Sequence, residues 1–284
     1  MRLQNIDGPE RERILASYPK VFAPDYGRRA ATILATAGIV GLFVFGLVWL
    51  GFSPSALLRG VSRLGIILQA MFPPTAGQQL PVYITALGQT LSIAFLGTML
   101  AAALAFPLAF FAAKNVAGMW VVRFLTKRSF DVMRGIDTLI WALIFINVVG
   151  LGPFSGILAV AMSDLGSFGK LFSEAIETAS RKQVEGVLST GASKVQEVRF
   201  AIIPQVLPIF LSQVLYYFES NVRSATVIGI VGAGGIGLYL SNEISQQSWD
   251  HVSFIILMIL GTVAAIDFVS ARVRRSIIGM PVRA

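Results

Sequence analysis

VYITALGQTLSIAFLGTMLAAALAFPLAFFAA, residues 82–113, runs for over thirty residues without one Asp, Glu, Lys or Arg. A helix of about 20 apolar residues crosses a bilayer core, so this run suits lipid and is longer than one straight perpendicular span requires. Pro107 offers a place for a kink or an early end. The uncharged sequence extends back to Leu64, and a second such stretch covers Ala30–Leu58. Of the 284 residues 55% are hydrophobic and 13% charged, and the mean hydropathy is +0.73; a soluble domain carries roughly a quarter charged residues. The chain therefore reads as an all-α integral membrane protein. It has no Cys, which excludes a disulfide framework and thiol chemistry, and a single His, His251, which excludes a multi-His metal centre within the chain. Neither a catalytic set nor a metal site is expected.

Working outward from that run, the sequence predicts six spans. Residues 1–29 mix basic and acidic side chains and are expected in the cytoplasm; about thirty mostly polar residues before the first apolar run do not fit a cleaved signal peptide. Ala30–Phe52 is the first span. Pro54–Phe72 sets Arg59 and Arg63 among Leu57, Leu58, Val61, Leu64, Ile67 and Leu68, the spacing of an amphipathic helix on the outer surface, ended by Pro73 and Pro74. Val82–Ala113, residues 131–150 and Ser155–Phe172 are the next three spans, the last two joined by a tight turn at Gly150-Leu-Gly-Pro153. Asp164, Gly166, Gly169 and Lys170 should turn the fourth span toward other helices. Pro204–Ile230 is the fifth, a Gly-rich outer segment runs to Asp250, and His251–Ala271 is the sixth. By domains this gives 1–29, a cytoplasmic segment; 30–79, the first span and outer amphipathic segment; 80–275, the main transmembrane domain with a cytoplasmic loop at about 173–204; and 276–284, a tail. Twenty of the 23 Lys and Arg then lie on one side, with only Arg59 and Arg63 opposite and Arg223 inside a span, so both termini are placed in the cytoplasm. The net charge of +8 is a topology signal rather than a nucleic-acid footprint.

The 173–204 loop contains Glu185-Gly-Val-Leu-Ser-Thr-Gly191, then Ala192, and Pro204 after Ala201-Ile-Ile203. This resembles the EAA loop of ABC importer permeases: Glu185, Gly191 and Pro204 match at the family's spacing, while Gly186, Val187, Ala201 and Ile203 depart from it. A helix over Glu174–Leu188, a turn at Gly191 and a short helix over Ser193–Phe200 would form a protruding knob, with Pro204 opening the next span. The resemblance implies that Glu185, Gly191, Ala192 and Pro204 belong to a loop that docks on a separate ATPase subunit. From about residue 130 to 275 the chain is also similar to phosphonate ABC importer permeases, through Trp141-Ala-Leu-Ile-Phe145, Gly150-Leu-Gly-Pro-Phe154, Glu174-Ala-Ile-Glu177, Tyr217-Phe-Glu-Ser-Asn-Val-Arg223 and Val231-Gly-Ala-Gly-Gly-Ile-Gly237.

That similarity implies a type I ABC importer permease in the bacterial cytoplasmic membrane, working as a homodimer. It implies two ATPase subunits that hold the ATP and Mg, so that no cofactor belongs to this chain, and an extracytoplasmic phosphonate-binding protein. The cargo would be phosphonate or a related phosphorus oxyanion. A permease for phosphate, phosphite or an amino acid stays open beside it. An ion-gradient-driven secondary transporter would need broken helices or acids in matching halves, and a membrane enzyme a His or carboxylate constellation; neither pattern is present in the sequence.

Other residues have competing readings. Gly232, Gly234 and Gly237 satisfy Gly-x-Gly-x-x-Gly, but Glu243 and Asp250 come too early for the ribose acid of a dinucleotide site; a closely packed loop is expected instead. Glu219 and Arg223, four apart, could simply pair on one helix face, or Arg223 with Asn221 could meet an anion on the translocation path. Asp131, Arg134 and Asp137 suggest an interfacial ion-pair cluster, and Asp267 lies close to Arg272 and Arg274.

Overall fold

The computed structural model describes residues 26–278, and the expectations for residues 1–25 and 279–284 lie outside them. Two compact units divide at Ile66. In the first, α1 (Tyr26–Trp49) is a 24-residue apolar helix with exposed side chains, Phe45 and Trp49 stacking one turn apart at 6.0 Å. A further helix, α2 (Pro54–Ala70), starts in this unit and carries Arg59 and Arg63 at the spacing read from the sequence.

The second unit contains α3 (Leu80–Ala112), α4 (Trp120–Gly135), α5 (Thr138–Val149), α6 (Pro153–Glu177), α7 (Arg181–Leu188), α8 (Lys194–Glu197), a π-helical turn (Val198–Ile202), α9 (Ile203–Ile230), α10 (Ile236–Ser245) and α11 (Trp249–Ile278). Among the described residues α1, α3, the stretch through α8 and α9, and α11 are long and apolar enough to cross a membrane, and the bent pair α4–α5 would make a fifth span. At 25 residues α6 also has spanning length, about 37 Å. Thirteen of its residues are buried, so its surroundings are protein rather than lipid, as Asp164 and its glycines suggested.

Close approach organises this bundle. Along α3, Ala94, Gly97, Thr98, Ala101, Ala105 and Ala109 are buried at three- and four-residue spacing, a smooth small-residue face. A Cβ on Gly97 would stand 2.7 Å from Val160 on α6. On the other side of α6, a Cβ on Gly166 would stand 2.6 Å from the Phe130 carbonyl of α4, and the Phe130 ring lies over Gly169. The long helix α3 continues through Pro107 to Ala112 without ending there.

The structure corrects several boundaries. Residues 131–150 are not one straight helix: α4 and α5 meet at 90°. Gly135 ends α4, Ile136 is extended, and the Asp137 carboxylate accepts the Leu139 N–H at 2.8 Å as the cap of α5. Asp137 is thus a cap, while Asp131 pairs with Arg128 at 3.1 Å and with Lys170 at 3.7 Å, so the expected cluster with Arg134 does not form. The expected Glu174–Leu188 helix breaks at Thr178–Ser180, and the Gly-rich segment before Asp250 holds the ten-residue α10. The Gly150–Pro153 turn does pack on the second glycine loop: the Gly152 N–H donates to the Gly232 carbonyl at 3.0 Å, and Ile236 N–H to Thr90 Oγ1 at 2.8 Å.

The close packing of α6 and the ion pair at its end can each be tested. Gly166→Leu should destabilise the fold by about 1–3 kcal/mol, because the backbone of α4 cannot yield to a new side chain; thermal melts in detergent measure it, and an unchanged midpoint would contradict the packing. The second concerns Glu177 at the end of α6. Burial pushes its carboxyl up, but the Lys127 ammonium at 2.8 Å and the Lys114 N–H at 2.9 Å outweigh that and hold it below the usual range. A depressed folded pKa stabilises above the unfolded value, about 4.3, and that contribution is lost as pH falls through the folded value. The acid limb of the melting curve should therefore be shallower in Glu177→Gln than in the parent; identical limbs would exclude the pair as a source.

Candidate functional site

The segment between α6 and α9 forms a knob with a buried root and an exposed tip. The Ser180 N–H, just before α7, donates to Gln205 Oε1 at 2.8 Å, and Gln205 Nε2 donates to the Ala201 carbonyl at 2.7 Å, so one amide at the start of α9 ties both ends of the knob. Glu185 lies exposed on α7. Gly191 takes φ +80°, the left-handed conformation that glycine adopts without a Cβ penalty, and the chain reverses there. Ala192 is half-buried beside it. Ser193 then caps α8 in a reciprocal capping box with Gln196. Glu185, Gly191 and Ala192 thus cluster at the tip, near an open concavity lined by Gly186, Thr190, Gly191, Ala192, Gln196 and Phe200.

Pro204 lies at the first turn of α9, at the opposite end of the knob. It has no N–H for the Phe200 carbonyl, and just before it the Ile203 N–H reaches back five residues to the Val198 carbonyl. The helix is locally widened into a π turn. The expected Ser193–Phe200 helix is therefore four α-helical residues followed by this turn, continuous with the next span. Ile202 is fully buried, and Val184 and Val198 pack on the same core as Ala105, Phe172, Val206 and Phe210.

Inside the bundle the three polar residues singled out on α9 separate into two environments. Asn221 is 5% exposed and donates through Nδ2 to Thr98 Oγ1 of α3 at 2.8 Å and to Asp164 Oδ2 of α6. It braces three helices. Glu219 and Arg223 lie instead toward α11. Arg223 pairs with Glu219 at 3.8 Å and with Asp267 at 3.4 Å, and Glu219 also accepts from Arg274 at 3.2 Å. Two guanidiniums and two carboxylates thus form a chain between α9 and α11, with Arg223 about half exposed. The residue spacing predicted the first pair; Arg274 and Asp267 come from a helix that local spacing cannot place beside α9.

A third polar group escaped the sequence reading. The Tyr83 hydroxyl of α3 donates to Glu243 Oε1 of α10 at 3.0 Å and lies 2.8 Å from Nδ1 of His251 on α11. Tyr83 and Glu243 are buried, so this network fixes three helices at the end of the bundle opposite the Arg274 turn. A lone His and a Glu inside an otherwise apolar region were its only sequence signals.

Comparison with known proteins agrees with this architecture. The family described as binding-protein-dependent transport system inner membrane component matches residues 105–278, which include the knob and the α9–α11 ion pairs. The chain is 39% identical over 216 residues to a Stutzerimonas stutzeri protein designated a phosphite transport system permease, covering 76% of each. It is 44% identical over 121 residues to an Escherichia coli protein designated a cryptic phosphonate transport system permease, covering 43% of this chain and 99% of that one. A solved structure of the MetNI methionine ABC transporter, in an inward-facing conformation, superposes with a TM-score of 0.61 at 16% identity, over 72% of this chain and 99% of the other, and shows the shared fold. An apolar helical bundle interrupted by a protruding turn is matched over most of its length by that family: the chain belongs to the binding-protein-dependent transport system inner membrane components, as the membrane permease subunit of an ABC transporter rather than an enzyme.

Proposed function

We propose that this permease imports phosphonate or a closely related phosphorus oxyanion, driven by ATP hydrolysed on separate subunits. The observation that carries the reading is the knob: Glu185, Gly191 and Ala192 at an exposed tip, rooted through Ile202 in the core that holds α3, α6 and α9. The relatives designated phosphite and phosphonate permeases support the cargo class. In this reading α6 and the α4–α5 pair complete six spans, both termini are cytoplasmic, and two copies of the chain enclose the path. Two ATPase subunits carrying ATP and Mg receive the two knobs, and an extracytoplasmic binding protein delivers the oxyanion. Closure of the nucleotide sites pushes the knob, and the continuous stretch from α8 into α9 carries that displacement into the bilayer. Pro204 lies at the first turn of α9, just after the π turn that joins them.

Glu219 and Arg223 then act as a gate on the face of α9. A guanidinium released from Glu219 and Asp267 can hold two oxyanion oxygens by paired hydrogen bonds, and the two carboxylates take it back when the anion leaves. Asn221 supports that gate from behind through Thr98 and Asp164 rather than meeting the cargo.

Reconstitution with the ATPase and binding protein tests both parts. Gly191→Val strains a left-handed position by about 1–2 kcal/mol and should uncouple ATP hydrolysis from uptake while binding-protein capture is unchanged. Arg223→Gln should lower phosphonate uptake about tenfold or more with ATPase coupling retained. Transport at the parent rate in either variant would remove the role assigned to that residue, and uptake without ATP would remove the proposed class.

A further inference from the structure

We infer a second oxyanion subsite between α9 and the last turns of α11, lined by Ser212, Gln213, Tyr216 and Arg274. These four side chains border an open cavity of about 300 Å³. Ser212 and Tyr216 are four apart and share a helix face, Gln213 lies beside them, and Arg274 reaches in from α11. The Ser212 hydroxyl, the Gln213 amide and the Tyr216 hydroxyl make no hydrogen bond within the described residues. Arg274 is only partly satisfied. One terminal nitrogen donates to Glu219 at 3.2 Å, the guanidinium lies over the Tyr216 ring at 5.9 Å, and Nε is buried without a partner.

A buried guanidinium N–H left unpaired costs free energy that a structural role alone does not explain. Donors of this kind around one cavity suit a tetrahedral anion. Oxygens entering from the open side would draw the guanidinium round so that Nε and one terminal nitrogen grip two of them in a bidentate arrangement, while the hydroxyls and the Gln213 amide serve the others. The Tyr216 ring holds the cation on its other side. Glu219 opposes anion binding, but its charge is shared between Arg274 and Arg223, and Arg272 and Arg275 on the same turn add positive field. The subsite lies about two to three turns along α9 from Arg223, on the side of the knob. It is placed to hold an oxyanion that has passed the gate, or the phosphate of an anionic lipid at that surface. The ligand chemistry is the same, a phosphorus oxyanion with at least one free charge.

The choice of phosphate as probe rests on the proposed function; loss of the subsite with uptake intact, and loss of uptake with the subsite intact, would be separate results. The full chain, assembled with its ATPase in nanodiscs of phosphatidylcholine alone, is titrated with inorganic phosphate by equilibrium dialysis. A parallel sample in phosphatidylcholine with phosphatidylglycerol is analysed for the lipid retained. Arg274→Gln removes the charge, and Gln213→Leu, which breaks no hydrogen bond among the described residues, keeps the test informative if the first variant fails to fold. Phosphate binding in neutral nanodiscs, weakened about tenfold or more in both variants, supports a free oxyanion. Phosphatidylglycerol enrichment that both variants lose, without phosphate binding, supports a headgroup. No binding in either arm, or binding that neither variant alters, overturns the inference.

Discussion

The structure depends on a stack of aromatic rings where the knob meets the bundle. Phe172 of α6 lies 4.1 Å from Phe210 of α9, Phe168 stacks on Phe172 at 5.2 Å and meets Tyr217 at 4.7 Å, and Phe106 of α3 closes on Phe210 at 5.7 Å. Such rings are rigid and bury large areas, so α3, α6 and α9 are fixed to one another at the level where α9 emerges from the knob. Ile202, Val198 and Val184 pack on the same cluster. A displacement of the tip therefore reaches the bundle through side chains that cannot slip past one another without opening a dense core. Were these positions small or flexible, the knob could swing without moving the helices.

The small residues serve the same end. Gly97, Gly166 and Gly169 let α6 lie against α3 and α4 with backbones nearly touching, and in lipid such close contact is a main source of helix association. The buried node of Asp164, Asn221 and Thr98 adds direction, since polar partners in an apolar setting are satisfied in only one register. Rigidity near the core contrasts with the α9–α11 face, where Arg223, about half exposed, holds Glu219 and Asp267 in pairs worth little individually and hence able to exchange partners.

How much of this could be read from the sequence varies with the range of the interaction. Apolar runs and the positions of the basic clusters gave the all-helical membrane class, because lipid imposes its demand residue by residue. The Glu185–Gly191–Pro204 spacing marked the knob, and the positive φ of Gly191 agrees with the turn expected there. Glu219 and Arg223 were visible as neighbours because four residues make one helical turn. What sequence did not yield was set by distant partners or by competition between local signals. Asp137 looked like part of an ion-pair cluster and is a cap, because Gly135 and the extended Ile136 leave the next helix needing one. Asn221 looked like a companion to Arg223 and points the other way, into Asp164 and Thr98 from two other helices. The Tyr83–Glu243–His251 network joins residues about 160 positions apart.

The absence of cysteine from the chain makes the side and the docking of the knob directly measurable. A single cysteine in place of Thr190, exposed at the tip of the knob, can be labelled with a membrane-impermeant maleimide in inside-out and right-side-out vesicles, with and without the ATPase. Labelling is expected only from the cytoplasmic side, with protection once the ATPase is bound. Labelling from the outer side, or equal labelling with and without the ATPase, would contradict it.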